Sequence, residues 1–267
     1  MSQLDVSVLG IGLLGPGLAG WPSSQAVLAG SLPYAAAATV VPAPARLPPA
    51  ERRRAGTAIK VALAVADEAC AHAQAEPAQL ATVFTSSSGD GANCHALCEM
   101  LAGADRLISP TRFTNSVHNA SAGYWHIAVT GRLPSASLCA YDASFGAGLV
   151  EAVTQVHAHR QAVLLVASDT PYPEPLHATR PLPDSLGMAL VLAPGNAPRA
   201  IARLAVQPDI GAADATPCSV PALEALRRAI PAARSLPLLE AFAAARAAEL
   251  VLDYQPSLRL RARISAP

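Results

Sequence analysis

The chain has 267 residues, enough for one large α/β domain or a domain with a short appendage. Hydrophobic residues make up 52% but aromatics only 4%, so any core has to be filled mainly by Ala, Val and Leu. Nineteen basic side chains balance nineteen acidic ones and only 14% of residues are charged. That composition leaves no electrostatic footprint for nucleic acid or an anionic membrane, and it suggests a surface partly covered by a partner.

No apolar run approaches the roughly 20 residues of a bilayer span. Met1-Ser2-Gln3-Leu4-Asp5 carries no basic region before an apolar stretch, so a secretory leader is not expected. Five cysteines (Cys70, Cys94, Cys98, Cys139, Cys218) are an odd set with no disulfide framework, which points to reduced thiols and the cytoplasm.

In chain order, Val6 to Gly12 reads as a buried strand running into the Gly15-Pro16-Gly17 turn. Leu32 to Pro49 is Pro- and Ala-rich and reads as an extended surface excursion. A helix is predicted over Ala50 to Ala75, with Ile59, Ala62, Leu63, Val65 and Ala66 on one face. The segment Ala81 to Thr85 is a short strand, and Ser86 to Gly91 a turn into a helix. Thr111 to Val129 reads as one long helix with Phe113, Val117, Ala120, Tyr124 and Ile127 on a shared face. A strand (Ser135 to Ala140), a helix (Asp142 to His159) and a strand (Ala162 to Ser168) follow. Gly187 to Ala193 and Arg199 to Val206 read as an antiparallel pair joined at Pro194-Gly195-Asn196. The stretch Gly211 to Ala248 reads as largely helical, and Leu250 to Ile264 as an edge strand. Strands alternating with helices predict a mostly parallel five-stranded sheet with helices on both faces. Residues 1–206 form the main domain of this reading, with 207–267 a helical segment and edge strand packed on it.

The most informative region is Ser135 to His159. A strand that turns sharply onto a helix N-terminus presents a nucleophile to free N–H groups and the positive end of the helix dipole. The turn reads Ala140-Tyr141-Asp142-Ala143-Ser144-Phe145-Gly146-Ala147-Gly148, with Asp142 or Ser144 suited to cap the helix. A capped helix without chemistry accounts for the same pattern.

Ser109 to Ala128 (SPTRFTNSVHNASAGYWHIA), then Gly131-Arg132-Leu133-Pro134 and this strand–turn–helix, resembles the N-terminal half of β-ketoacyl-ACP synthases. The resemblance extends to Val6–Gly12, Gly20–Ser31, Thr85–Gly91 and Asp184–Leu192, covering about 190 residues. More specifically, the chain resembles the short chain-length-factor subunits of aryl polyene type II polyketide clusters. The resemblance implies a thiolase-like half-fold, no cofactor, and a place in polyketide- or fatty-acid-type biosynthesis.

Two departures from the family pattern bear on mechanism. The pattern puts Asp142 where the acyl-accepting cysteine stands, and a carboxylate there would give a reactive mixed anhydride instead of a stable thioester. The family's two catalytic histidines lie in a second half, in contexts such as His-Gly-Thr, whereas the histidines here (His72, His95, His118, His126, His157, His159, His177) lie in first-half segments. No intrinsic condensation is therefore expected, and no catalytic residue is assigned. Cys139 is the fallback nucleophile, and a buried apolar thiol is the plainer reading of it. Cys94, His95 and Cys98 suggest metal ligands, but His95 points away from the other two and no second ligand pair follows, so no metal is expected. Ser86, Ser87 and Ser88 lack the Gly-x-Ser-x-Gly setting of a hydrolase.

The resemblance further implies a heterodimer with a full-length β-ketoacyl-ACP synthase, and contact with an acyl carrier protein through that complex. Asn115, Asn119, Tyr124, Ser137 and Cys139 would lie at the dimer interface. Asp90, Cys94, Phe113, Val117 and His118 would line the partner's acyl tunnel. The Arg52-Arg53-Arg54 run is a solvated helix face or a contact for the acidic carrier protein. Two alternatives stand beside this reading: a degenerate acyltransferase or thioesterase using Cys139 or a serine, and a purely structural homodimeric scaffold.

Overall fold

The computed structural model describes residues 4–211 and 214–267. Met1–Gln3, and residues 212–213 within the expected helical stretch, lie outside the described residues.

The first strand organises everything else. β1 (Leu4–Leu14) is apolar throughout, and a register shift between Val8 and Gly10 changes the parity of its side chains. Val6 and Val8 before the bulge, and Ile11 and Leu13 after it, thereby enter the same core. Gly10 and Gly12 meanwhile face α3 (Thr57–Ala73) at very close range: a Cβ on Gly12 would lie 2.0 Å from the Val65 carbonyl oxygen. Only glycine lets that helix lie directly on the strand. Beyond Val8 no strand among the described residues covers one edge of β1, and α3 bonds to it instead. Glu68 accepts the Leu13 N–H at 2.7 Å, and His72 Nδ1 accepts the Ile11 N–H at 3.1 Å.

Eight strands among the described residues form one sheet, in the order β3-β2-β4-β5-β1-β6-β8-β7. The remaining strands are β2 (Ala81–Thr85), β3 (Ser135–Leu138), β4 (Val163–Asp169), β5 (Leu186–Pro194), β6 (Ala202–Ile210), β7 (Ala248–Gln255) and β8 (Leu258–Ser265). On one face α3 and α6 (Ala120–Val129) share a core with Leu164, Val166, Ala189 and Val191. On the other, α7 (Ser144–His159) and the turn Pro231–Ser235 pack with Val163, Leu165, Met188 and Leu190. The two-residue alternation along β4 and β5 splits their side chains between the layers, so the α/β architecture with helices on both faces is as expected.

The sheet itself differs from the expected five mostly parallel strands. Only β2–β3 and β2–β4 are parallel, and the other five pairings are antiparallel. β5 and β6 are not partners, because β1 inserts between them and pairs antiparallel with both. Their connection crosses the end of β1, where the Ser7 hydroxyl accepts the Ala197 N–H and the Val8 carbonyl accepts the Ile201 N–H. The C-terminal stretch is a hairpin, with β8 inside the sheet and β7 at its edge.

Two expected helices are each broken in two. The first ends as α2 (Pro49–Arg54) before α3, because Ala55 is extended and the Asn115 side chain takes the Arg54 carbonyl. The second becomes α5 (Pro110–Thr114) and α6, separated by Asn115–Asn119. There the Ser116 hydroxyl takes the Phe113 carbonyl and the Asn115 amide is engaged elsewhere, so local polar bonds win over the helix ladder. The expected shared face dissolves accordingly. Tyr124 is buried, while Phe113, Val117 and Ile127 are exposed.

Candidate functional site

The site is built where β3 turns onto α7. Tyr141 adopts φ +51°, a conformation that bulky side chains rarely take, and it gives the turn its sharpness. Ser144, buried at the start of α7, ties the turn shut. Its hydroxyl accepts the Ala140 N–H at 3.0 Å and faces the Tyr141 and Ser86 carbonyls at 2.7 and 3.0 Å. Neither Asp142 nor Ser144 caps α7 in the expected way. The Ser144 hydroxyl serves the turn, and the Asp142 carboxylate serves two arginines.

Those arginines come from distant segments. Arg180, just after α8 (Leu176–Thr179), donates to Asp142 Oδ1 at 2.7 Å, and Arg234 donates to Oδ2 at 3.0 Å. The Arg180 guanidinium also lies 3.5 Å from the centre of the Tyr141 ring. Burial pushes the Arg180 pKa down, and the like charge of Arg234 adds to the shift. Each oxygen of the Asp142 carboxylate thus accepts from a different arginine, while the side chain stays 43% exposed.

Beneath the turn, Ser86–Ser88 is a hub of hydrogen bonds. Asp169, at the end of β4 and fully buried, accepts the Ser87 N–H at 2.7 Å and the Ala232 N–H at 2.8 Å. Burial pushes its pKa up, against the pull of those bonds. Cys139 is exposed, and its thiol donates to the Ser87 carbonyl at 2.9 Å. Its pKa is raised, first by desolvation and then by the nearby Asp169 charge, with Arg180 pulling the other way. A thiol held protonated and turned toward a carbonyl is a poor nucleophile.

Beside the turn, a narrow cleft of about 30 Å³ is lined by Asp90, Val117 and His118 together with Ile59, Phe84 and Ser137. Asp90 caps α4 (Gly91–Ala102), accepting the Asn93 N–H at 2.9 Å. Cys94 and Cys98 are both exposed on α4, and burial together with the neighbouring Cys98 raises the Cys94 pKa. Phe113 is 66% exposed on α5, outside the cleft. A second hollow follows β3 and is lined by His118, Asn119, His126, Arg132, Ser135 and Ser137. Asn115 and Tyr124 are buried within the chain's own fold, where the tyrosine hydroxyl donates to the Asn115 carbonyl at 3.0 Å. In the Arg52–Arg54 run, Arg52 holds the Ala45 and Leu47 carbonyls and Arg54 pairs with Glu51.

β3 is an edge strand. The Pro134 and Leu138 carbonyls accept from β2, which leaves the alternate backbone groups of Ser135 and Ser137 directed outward. Exposed Val117, Phe113 and Tyr141 stand on the neighbouring segments. Such an edge is a ready template for another strand.

Sequence reasoning placed Cys139, Asp142 and Ser144 at this turn, Ser144 as a cap instead of a turn brace, but missed Arg180, Arg234 and Asp169 as its supports. Arg180 lies in a Pro-rich loop and Arg234 in an Ala-rich stretch, so no local spacing flagged either.

The model of the β-ketoacyl synthase N-terminal domain matches residues 21–244, and the chain belongs to that family. Among solved structures it is similar to a chain of a ketosynthase in complex with its chain length factor from Xenorhabdus doucetiae. That match has a TM-score of 0.73 and 22% identity over 97% of this chain and 99% of the other. A second, described as a type II polyketide synthase acyl-carrier protein in complex with its ketosynthase bound to the hexaketide, matches at TM-score 0.74. It is 10% identical over 100% of both chains. A β-ketoacyl synthase from Burkholderia phymatum matches at TM-score 0.56, 15% identical over 87% of this chain and 71% of its own. These likenesses establish a shared ketosynthase fold. No curated protein matches the chain. Among the described residues no helix is long and apolar enough to cross a membrane.

Proposed function

We propose that the chain is a non-catalytic, chain-length-factor-type subunit. It pairs with a full-length β-ketoacyl-ACP synthase and shapes that partner's acyl tunnel in polyketide- or fatty-acid-type biosynthesis, with aryl polyenes the favoured product class. The observation that carries the reading is the Asp142 carboxylate, held between Arg180 and Arg234 where the family pattern has its acyl-accepting cysteine. A carboxylate whose two oxygens are each bonded to a guanidinium has little electron density to offer a thioester, and any adduct would be a hydrolysable anhydride. The acyltransferase alternative draws no support from Cys139, whose thiol is hydrogen-bonded and less acidic than usual.

Pairing is supported by the open edge of β3 and the exposed apolar side chains beside it. With a partner strand laid along Ser135–Leu138, Asn119, Ser137 and Cys139 would meet the other subunit. Asn115 and Tyr124 would support that surface from inside. Asp90, Cys94, Phe113, Val117 and His118 would then stand toward the partner's tunnel. A growing acyl chain gains about 0.8 kcal/mol per buried methylene until it meets a wall, where further growth costs packing strain. In this reading the chain supplies the wall, and the acyl carrier protein delivers substrate to the complex.

Co-expression with a full-length ketosynthase from the same source, followed by size-exclusion chromatography with mass detection, tests the proposal. The expected result is a one-to-one complex whose condensing activity neither subunit has alone. A chain that elutes by itself and takes up an acyl group from acyl-ACP would overturn it.

A further inference from the structure

At the β3–α7 turn two guanidinium groups converge on one carboxylate, Asp142, while the buried Asp169 beneath the turn is taken up by the Ser87 and Ala232 N–H groups. Arg180 and Arg234 each bond a different oxygen of Asp142, and their side chains keep only 16% and 20% exposure. Each guanidinium has therefore given up most of its water. Arg180 Nε is buried and, among the described residues, has no hydrogen-bond partner, so the donors of the pair exceed what Asp142 accepts. Holding two like charges from distant segments side by side carries a repulsive cost that an anion between them offsets.

We propose that Asp142 is a built-in ligand: the Arg180–Arg234 pair is a receptor for one small carboxylate, and the chain fills it with its own side chain. Occupancy then braces the turn, because Asp142 adds a side-chain tie from the Arg180 loop and from the turn Pro231–Ser235 to the start of α7, beside the apolar packing and the Asp169–Ala232 bond already there. It also follows that restoring a cysteine at this position would empty the receptor instead of rebuilding a nucleophile in working surroundings. The inference rests on this geometry alone and stands whether or not the chain pairs with a catalytic subunit.

Replacing Asp142 by Ala removes the carboxylate and leaves the arginines. Thermal unfolding is then followed for the wild type, Asp142→Ala, and Asp142→Ala combined with Arg234→Met, in sodium chloride and in sodium acetate of equal ionic strength. In chloride the Asp142→Ala midpoint should fall by roughly 2–6 °C, the shift expected for losing one partly buried ionic partner. Acetate should restore it saturably, as a ligand that binds only the folded state does. The wild type, already filled, and the double variant, with a broken receptor, should not respond. An Asp142→Ala protein as stable as wild type in chloride would overturn the proposal, and so would acetate raising all three midpoints equally. If Asp142→Ala does not survive purification, recovery of soluble protein on refolding from urea is compared in the two salts. Severalfold better recovery in acetate supports the receptor, and equal recovery overturns it.

Discussion

At the scale of single residues, Phe113 separates surface from core most sharply. Its ring is 66% exposed on a five-residue helix, so truncating it removes little from the isolated chain. The Phe113→Ala variant should unfold within about 0.5 kcal/mol of wild type. In complex with the partner ketosynthase it should shift products toward greater length, as read by mass spectrometry of the released chains. An unchanged length distribution would remove Phe113 from the tunnel wall. The strand, turn and helix that carry Asp142 were legible in the sequence from the apolar segment, the glycines and the helical spacing of Ser135 to His159. What holds Asp142 was not legible. Arg180 and Arg234 reach it across the fold, and nothing in a window around any of the three residues records the meeting.

At the scale of elements, periodicity located strands and the longest helices well, and it failed where side-chain hydrogen bonds compete with the backbone ladder. The apolar spacing from Phe113 to Ile127 is helical on paper, yet the Asn115 amide bonds the distant Arg54 carbonyl, the Ser116 hydroxyl takes the Phe113 carbonyl, and the helix breaks. The C-terminal elements are joined by ions as well as by apolar contact. In α9 (Pro221–Ala229), Glu224 accepts from Arg227 and Arg228 and from the Cys218 N–H, and Arg227 reaches Asp253 on β7. The Arg227 guanidinium is the leading cause that holds the Glu224 carboxyl down to about 2. The folded chain therefore binds this proton only well below the pH at which the unfolded chain does. The stability Glu224 adds is full above the ordinary carboxylate range and is lost as pH falls through it toward about 2. Urea unfolding of wild type and Glu224→Gln should show the wild type ahead at neutral pH, with the gap narrowing steadily below about pH 4.3. A gap that stays constant down to about pH 2 would show that the ion pair does not supply the difference.

At the scale of the whole molecule, the open edge of β3 is the feature most exposed to test. Ser137 directs its backbone N–H away from β2, so a proline there removes an outward donor without touching the ladder inside. Ser137→Pro should leave the melting midpoint of the isolated chain nearly unchanged and weaken the complex with the ketosynthase by tenfold or more in a pull-down titration. Equal binding would place the partner elsewhere on the surface. The layered α/β class could be read from the alternation of strands and helices, but the order of strands could not. Alternation says that strands are parallel neighbours in sequence, whereas β1 separates β5 from β6 because its bulged, glycine-bearing path fits against α3.

That central seat for β1 has a consequence for how the protein is made. The strand is drawn from the beginning of the chain, and both of its neighbours come from the last third. During synthesis it therefore leaves the ribosome long before either partner exists, as an apolar ribbon with two open edges. Pairings so distant in sequence close slowly, and in the interval such a ribbon invites other chains. The yield of soluble protein should depend on how the nascent chain is sheltered more than on the strength of the finished sheet.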